Sequence, residues 1–253
     1  MIIKKFIRLT LLAVTALFIA SCASNVPVTV QQSHPPIACG PRQDIVHIVA
    51  PGETLWRVGK MYGVSGADIA RANNLTTQNP VLKKGSRLTI PNAAPVAPVV
   101  SLYPSNKWKY IIIHHSGSEM GDSLSFDKYH LSKGWLNGVG YHFVIDNGTD
   151  SRCDGQIEVS PRWLKQLNGS HCKADHMNER AIGICLVGNF NRDHLSSRQL
   201  ESLTYLVKTL KTYYRIPDDH IMGHGQVPGA RTDCPGKHFP WAEFKARLAR
   251  ARG

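Results

Sequence analysis

The sequence contains no dense cluster of lysine and arginine, although it has 30 of these residues against 18 aspartate and glutamate. The basic residues are scattered, and no motif of a nucleic-acid-binding fold is present, so a nucleic-acid partner is not expected. Scattered basic charge favours a weaker attraction, to anionic lipid or to an acidic cell wall if the chain is exported. The net charge of +12 does not by itself assign a function.

The sequence also lacks an apolar run long enough to span a bilayer. Lys4, Lys5 and Arg8 precede an apolar run at residues 9–20, which is shorter than the ~20 residues that a transmembrane helix needs. A basic start followed by a short apolar run is typical of a secretory signal peptide, which is removed after export. We therefore predict a signal peptide at residues 1–21.

The apolar run ends with small residues before a cysteine, in the segment Ile19-Ala-Ser-Cys22. This ending resembles the lipobox of bacterial lipoproteins. The resemblance implies cleavage before Cys22, acylation of the Cys22 thiol and attachment to a membrane. Because Ala23 rather than aspartate follows, it also implies an outer-membrane anchor facing the periplasm, in a host with two membranes. The alternative is an ordinary signal peptide with an unrelated cysteine nearby.

Residues 22–44 are rich in proline, serine and glutamine, and we predict a flexible tether there. A small unit follows at residues 45–91, in the order strand, helix, helix, strand. Leu55 and Val58 lie on one face of its first helix, as expected for a helix packed on a core. The pattern predicts a compact βααβ domain.

Four segments of this small unit carry a resemblance. They are Val49-Ala-Pro-Gly-Glu-Thr-Leu55, Tyr62-Gly-Val-Ser65, Ala72-Asn-Asn-Leu75 and Lys84-Gly-Ser-Arg-Leu-Thr-Ile-Pro91. Together they resemble a LysM module, which implies binding of glycans that contain N-acetylglucosamine, including peptidoglycan. The resemblance implies a glycan groove formed by Gly52, Glu53, Thr54 and Leu55, with Asn79, Pro80 and Val81 opposite.

A structural domain with an idle groove is the alternative for this unit. Glycoside hydrolysis is not expected from it, because Glu53 has no second carboxylate nearby and most glycosidases need a pair.

A proline-rich linker is predicted at residues 92–104, followed by a second domain at residues 105–253. Ser196 and Gln199 form a capping box for a long helix in this domain. Strands mixed with helices indicate an α/β (α+β) domain, with a mixed sheet flanked by helices. The predicted strands span residues 110–114, 141–145, 156–159, 181–187 and 220–223, and the predicted helices span residues 125–133, 197–214 and a segment around 241–248.

Residues 222–236 place an imidazole and a thiol on either side of a loop. The loop turns at Pro228 and Gly229, which brings His224 and Cys234 into reach of a common ion. Imidazole and thiolate are donors that Zn²⁺ prefers, but a site needs more than two.

The third donor is predicted at the end of a buried strand within residues 107–117. This strand ends with His114 and His115, and only one of them can face inward, because successive strand residues point to opposite sides. Three protein ligands with one open position are typical of a catalytic rather than a structural zinc site.

Five segments of the second domain carry a further resemblance. They are Ile113-His-His-Ser116, Lys133-Gly-Trp-Leu-Asn-Gly-Val-Gly-Tyr-His-Phe-Val-Ile145, Gly169-Ser-His-Cys-Lys173, Ile182-Gly-Ile-Cys-Leu-Val-Gly-Asn-Phe190 and Gly223-His224 with Thr232-Asp-Cys-Pro-Gly236. In this order they resemble the type 2 N-acetylmuramoyl-L-alanine amidases, a group that includes peptidoglycan-recognition proteins and a phage amidase. The resemblance implies Zn²⁺ on His114, His224 and Cys234, and cleavage between the lactyl group of N-acetylmuramic acid and L-alanine.

The same resemblance implies roles for four more residues. Tyr141 matches the catalytic tyrosine of the family, which orients water or stabilises the oxyanion. Thr232 matches a position that contacts the tetrahedral intermediate, and Arg231 is an alternative for that contact. His171 matches a groove position that touches the peptide stem.

Two departures leave the size of the substrate open. A branch of the family that acts on small anhydro-muropeptides uses an aspartate as third ligand and a glutamate as base. Cys234 and Cys185 take those places here, which favours the phage-like mechanism. The inserted Pro228 and Gly229, however, resemble that other branch.

Six cysteines in an exported chain raise the question of disulfides. Apart from the predicted lipid and metal sites at Cys22 and Cys234, the sequence leaves open a disulfide between Cys153 and Cys172. Cys185 lies in an apolar strand and is predicted to be a free, buried thiol. Cys39 falls in the predicted tether.

Two rival functions remain from the sequence. One is a non-catalytic peptidoglycan receptor or anchor, and the other is a cysteine-type wall endopeptidase with Cys234 as nucleophile. We expect a monomer that binds peptidoglycan, with the membrane contacted through Cys22.

Overall fold

The computed structural model describes residues 28–30, 41–75 and 80–250. The signal peptide and the candidates Cys22, Cys39 and Asn79 lie outside these residues. Within them, no helix has both the length and the apolar character needed to cross a bilayer. The helices and strands, in chain order, are β1 (Val28–Val30), β2 (Gln43–Ile48), α1 (Leu55–Tyr62), α2 (Gly66–Ala72), β3 (Arg87–Ala93), β4 (Val100–Leu102), β5 (Tyr110–His115), α3 (Ser123–Ser132), β6 (Phe143–Asn147), β7 (Asp154–Val159), α4 (Pro161–Leu164), α5 (Met177–Arg180), β8 (Ala181–Leu186), α6 (Ser197–Tyr214), β9 (Ile221–Gly223) and α7 (Trp241–Ala249).

The small unit has the predicted order of strand, helix, helix and strand. Strand β2 pairs antiparallel with β3, and the two helices lie between them in sequence. Thr54 caps α1 by accepting a hydrogen bond from the backbone of Arg57, and Gly63 ends the helix in a left-handed conformation. Val58 and Ile69 are fully buried in the core of this unit.

The segment predicted as a linker is packed along its length. Val96 and Val99 belong to the core of the small unit, whereas Val100 and Leu102 belong to the core of the large domain. Strand β4 in this segment also pairs with β1, which lies in the predicted tether. The difference arises because apolar side chains spaced between the prolines bury surface in both cores.

The large domain contains a mixed five-stranded sheet in the order β7–β6–β8–β5–β9. Strands β6 and β7 are antiparallel, and the other neighbours are parallel. Ser196 and Gln199 form the predicted capping box at the start of α6, which covers the sheet with a fully buried leucine-rich stripe. The predicted fold class, a mixed α/β sheet domain after a small βααβ unit, is confirmed.

The small unit is docked on the large domain by the buried side chain of Arg152. Its guanidinium donates to the carbonyl of Ile48 in the small unit at 2.9 Å. It also forms ion pairs with Asp122 at 3.3 Å and with Glu158 at 3.1 Å. One side chain therefore joins the two cores to each other.

Two further contacts join the small unit to the large domain. Lys84 of the small unit pairs with Asp127 of α3 at 2.6 Å. Gly52, which has a φ of +81°, approaches Pro161 and Leu164 so closely that an added Cβ would lie 3.1 Å from the Leu164 side chain. The two units therefore meet along α3 and α4.

The cysteines differ in part from the possibilities left by the sequence. Cys153 is disulfide-bonded, whereas Cys172 and Cys185 are free and buried. A bond between Cys153 and Cys172 is therefore wrong, and the free buried thiol predicted at Cys185 is confirmed.

We predict that Arg152→Met lowers the free energy of unfolding by about 3–5 kcal/mol, because it leaves two buried carboxylates without their cation. Denaturant unfolding of the whole chain measures this loss. Arg192→Met, at an exposed position, is the control and should change stability little. An Arg152→Met protein as stable as the control would contradict the role of Arg152 in docking.

Asp146 gives a second prediction, which concerns pH. Burial, with repulsion from Glu158, raises the pKa of Asp146 well above its usual range. An acid whose pKa is raised by folding loses stability as pH rises above its unfolded value of ~3.9. Asp146→Asn mimics the neutral acid, so we expect it to be more stable than the natural chain near neutral pH, by on the order of 1 kcal/mol.

Urea unfolding between about pH 5 and pH 8 measures this effect, with the exposed Asp193→Asn as the matched control. The gain in Asp146→Asn should grow with pH, and the control should show none. A gain that is the same at every pH would show that Asp146 does not titrate in this range.

Candidate metal centre

Three candidate ligands from distant parts of the chain meet at the carboxyl edge of the sheet. Ligand atoms of His114, His224 and Cys234 all lie within 4.8 Å of one another. His114 and Cys234 are buried, whereas His224 is half-buried. The three residues that the sequence predicted as metal ligands are therefore brought together.

The alternation of side chains along β5 places one of its two histidines at this centre. The Nδ1 atom of His114 lies 3.6 Å from the Cys234 sulfur. His115 points to the other side, where its Nδ1 atom accepts a hydrogen bond from the backbone of Phe190 at 3.1 Å. The backbone N–H of His115 still contributes, because it donates to the Cys234 sulfur at 3.4 Å.

The loop that carries His224 and Cys234 is held tightly by its glycines. The backbone N–H of Gly225 donates to the carbonyl of Cys234 at 2.7 Å. A Cβ added at Gly223 would lie 2.6 Å from Pro235, which is too close for any other residue. This close approach sets the two ligands on adjacent arms of one loop.

The donor set fits a tetrahedral zinc ion. A sulfur at ~2.3 Å and a nitrogen at ~2.1 Å from a tetrahedral Zn²⁺ lie about 3.6 Å apart. The distance between the His114 and Cys234 donors has this value. Burial, with the neighbouring His171 and His224, keeps the pKa of His114 well below its usual range, so the ring is neutral and can bind a metal.

The thiol of Cys234 needs a cation before it can act as a ligand. Burial raises the pKa of Cys234 to about 12, so at neutral pH the metal-free side chain carries its proton. A bound cation stabilises the thiolate and displaces that proton. The electrostatics of the centre therefore suit a metal ligand and disfavour a free nucleophilic thiolate.

Comparison with known proteins agrees with this geometry. A family profile for N-acetylmuramoyl-L-alanine amidase matches residues 104–237, and a LysM domain profile matches residues 47–91. The chain belongs to the N-acetylmuramoyl-L-alanine amidase family. The large domain is accordingly called the amidase domain below, and the small unit the LysM domain.

Individual relatives match the amidase domain. Peptidoglycan-recognition protein SC2 of Drosophila melanogaster is 28% identical over 157 residues, which cover 56% of this chain and 78% of the relative. Among solved structures, the chain is similar to N-acetylmuramoyl-L-alanine amidase LysC from Clostridium intestinale URNW, with 33% identity and a TM-score of 0.48, over 58% of this chain and 90% of that one. It is also similar to Drosophila PGRP-LB, with 24% identity and a TM-score of 0.43, over 56% and 82%.

Tyr141 lies beside the candidate ligands of the amidase domain. Its ring centroid is 5.2 Å from that of His114. It precedes β6 rather than lying within the strand, which begins two residues later than predicted. Burial, with Cys185 and Cys234 nearby, raises the pKa of Tyr141 well above its usual range, and its hydroxyl is hydrogen-bonded to the Cys185 thiol. The phenol is therefore a proton donor, and Cys185 is a contact of the tyrosine that the sequence did not predict.

Thr232 and Arg231 lie at the exposed rim of the same loop. The Thr232 hydroxyl accepts a hydrogen bond from the backbone N–H of Cys234 at 3.2 Å. This contact orients the threonine toward the ligand loop and leaves its own proton available to a substrate.

His171 is placed differently from the groove position predicted for it. The residue is 8% exposed, and both of its ring nitrogens have partners within the protein. One ring nitrogen lies 3.1 Å from His114, and the other lies 3.3 Å from the carbonyl of Ala181. His171 therefore contacts a candidate metal ligand, and its contact with the peptide stem stays a prediction.

The predicted glycan groove of the LysM domain is only partly open. The Oε2 atom of Glu53 is hydrogen-bonded to His47 and to the backbone N–H of Ala50, both at 2.7 Å, so this oxygen already has partners within the domain. Leu55 is buried, whereas Val81 on the opposite wall is 99% exposed. What this groove offers a glycan is mainly the backbone around Gly52 and the exposed side chain of Val81.

Proposed function

We propose that this chain is a zinc-dependent amidase that hydrolyses the bond between N-acetylmuramic acid and L-alanine in peptidoglycan. The observation that carries the proposal is the meeting of His114, His224 and Cys234, with the His114 and Cys234 donors at a separation that suits tetrahedral Zn²⁺ and with Tyr141 beside them. His224 is half-buried, and three protein ligands leave the fourth position of a tetrahedral ion to water, as a catalytic site requires.

The side chains around the centre have separate tasks. When bound, Zn²⁺ supplies Lewis-acid polarisation of the amide carbonyl and lowers the pKa of water. Tyr141 donates a hydrogen bond from its protonated phenol to the oxygen on which negative charge develops. Thr232, or Arg231 beside it, contributes a second donor from the rim of the loop.

Two observations weigh against the rival functions. A non-catalytic receptor has no need of a complete set of metal ligands, but all three candidate ligands are present here. Burial lowers the pKa of both histidines, which favours the neutral rings that bind a metal. A cysteine endopeptidase needs a nucleophile with a lowered pKa, but burial raises that of Cys234. The metal-dependent hydrolase is therefore the better supported function.

The remaining parts of the chain fit action on the bacterial wall. We propose that the LysM domain holds glycan strands of peptidoglycan, that acylated Cys22 anchors the protein to the outer membrane facing the periplasm, and that the protein acts as a monomer. The LysM match and the lipobox-like ending at Cys22 support these parts of the proposal.

The proposal predicts that the purified chain releases peptides with a free N-terminal L-alanine from isolated peptidoglycan. A metal chelator should abolish this release, and added Zn²⁺ should restore it, because the centre cannot polarise the amide without its ion. Mass spectrometry of the soluble products measures the cleaved bond.

His224→Ala is the inactive control, and a thiol-alkylating reagent separates the rival enzyme class. Cleavage that resists the chelator but is lost on alkylation would identify a cysteine endopeptidase. Binding to peptidoglycan without any cleavage, in the zinc-loaded chain, would identify a receptor.

Tyr141→Phe tests the oxyanion donor separately. We predict that it retains Zn²⁺ binding but lowers kcat by about 10²–10³-fold, because it removes one hydrogen-bond donor from the developing charge. Tyr129→Phe, at an exposed tyrosine of α3, is the matched control. A kcat of Tyr141→Phe equal to that of the control would exclude a catalytic role for the phenol.

A further inference from the structure

His171 lies between the candidate ligand His114 and the backbone of the central strand β8. The Nδ1 atom of His171 is 3.1 Å from the Nε2 atom of His114. On its other side, the Nε2 atom of His171 is 3.3 Å from the carbonyl oxygen of Ala181, the first residue of β8. The two rings and the carbonyl thus form a continuous chain of hydrogen bonds.

The direction of this chain follows from its fixed end. A carbonyl oxygen only accepts, so the Nε2 atom of His171 carries the proton. The ring is buried and its two hydrogen-bond partners are an imidazole and a backbone carbonyl, neither of which is an anion that would stabilise a charged ring, so His171 is neutral and its Nδ1 atom has no proton. That atom must therefore accept from His114, whose Nε2 atom carries a proton and whose Nδ1 lone pair faces the Cys234 sulfur.

The position of the His171 ring depends on two glycines. A Cβ added at Gly183, in the middle of β8, would lie 2.4 Å from the ring, and one at Gly169 would lie 2.3 Å from it. Both distances are shorter than any real Cβ contact. The backbone N–H of His171 is also fixed, because it donates to the Asn178 side chain at 2.8 Å. The glycines of these two segments therefore have a physical reason to be there.

We propose that His171 is a positioning residue that holds His114 in the tautomer whose Nδ1 lone pair points at the metal position. The Nδ1 atom of His114 is the one that faces the Cys234 sulfur at 3.6 Å. Without the acceptor at His171, His114 can place its single proton on either nitrogen, and the Nδ1-protonated form cannot bind a metal. The inference rests on the proposed zinc site, but it concerns a tautomer that exists without metal.

The first test is the zinc affinity of full-length variants, measured by competition with a chromophoric chelator. We expect His171→Ala to weaken Zn²⁺ binding by about 10–100-fold, the usual cost of losing such a partner. His171→Asn places a carbonyl oxygen near the position of Nδ1 and should recover part of the affinity. The exposed His176→Ala is the matched control and should bind Zn²⁺ like the natural chain.

Gly183→Ala is a second variant that displaces the His171 ring without changing any candidate ligand. It should also weaken Zn²⁺ binding, and thermal unfolding of each variant shows whether the chain is folded. If His171→Ala does not fold, the zinc affinities of Gly183→Ala and His171→Asn are compared with that of the natural chain instead. Gly183→Ala should then bind Zn²⁺ more weakly than His171→Asn.

The second test reads the tautomer itself. Nitrogen-15 NMR of the imidazoles in the metal-free chain should show His114 protonated at Nε2, and this state should be mixed in His171→Ala. Unchanged His114 tautomer and unchanged zinc affinity in His171→Ala would overturn the inference, as would equal loss of affinity in His171→Asn and His171→Ala.

The two tests also separate this inference from the proposed function. A natural chain that binds no Zn²⁺ would end the proposed function, while the tautomer of the metal-free chain would still decide the inference. If the natural chain binds Zn²⁺ and cleaves peptidoglycan, but the His114 tautomer and the zinc affinity do not change in His171→Ala, only the inference is wrong.

Discussion

The parallel pairing of β5 with both β8 and β9 is the constraint on which the rest of the structure depends. In this register Ile113 lies beside Gly223 and His114 lies beside Cys185, so the carboxyl ends of three strands are level with one another. His114 therefore lies next to the loop after β9, which carries His224 and Cys234. On its other side it lies next to β8. A shift of one residue would turn His114 to the opposite face of the sheet and separate the candidate ligands.

The chemistry of the centre follows from burial, which disfavours the charged forms of the side chains at this edge of the sheet. Burial favours the neutral forms of His114, His171, Cys234 and Tyr141, so the metal-free centre is a set of uncharged groups. The proposed Zn²⁺ with one thiolate suits such a set, because neutral imidazoles and a thiol that loses its proton on binding are the donors that the ion needs. The same burial keeps the tyrosine protonated, so in the proposed mechanism it acts as a hydrogen-bond donor and not as a base.

The sequence predicted features that depend on local signals and missed those that depend on distant contacts. Helix α6 begins and ends as predicted, because its capping residues and leucine stripe are neighbours in sequence. The loop spacing of His224 and Cys234 likewise predicted a metal site from a segment of eleven residues. The role of His171 could not be predicted, since its partner His114 is 57 residues away and β8 supplies its other contact. The packing of the segment after β3 was missed because its valines bury surface only when two separate cores are present.

The docking of the LysM domain adds a link between the predicted glycan groove and the candidate metal centre. Lys84 of the LysM domain pairs with Asp127, and the other oxygen of that carboxylate accepts a hydrogen bond from the backbone N–H of Val139. The carbonyl of Val139 accepts from the buried Arg162 of α4, the helix that packs beneath Gly52. Val139 is two residues before Tyr141, so Lys84 and the Gly52 wall of the predicted glycan groove are both joined to the segment that carries the candidate catalytic tyrosine. A LysM domain on a free tether would have no such connection. Under the proposed function, a glycan strand on the LysM domain and the reacting amide would therefore be held by two domains that the buried ion pairs of Arg152 and the hydrogen bonds of Val139 join.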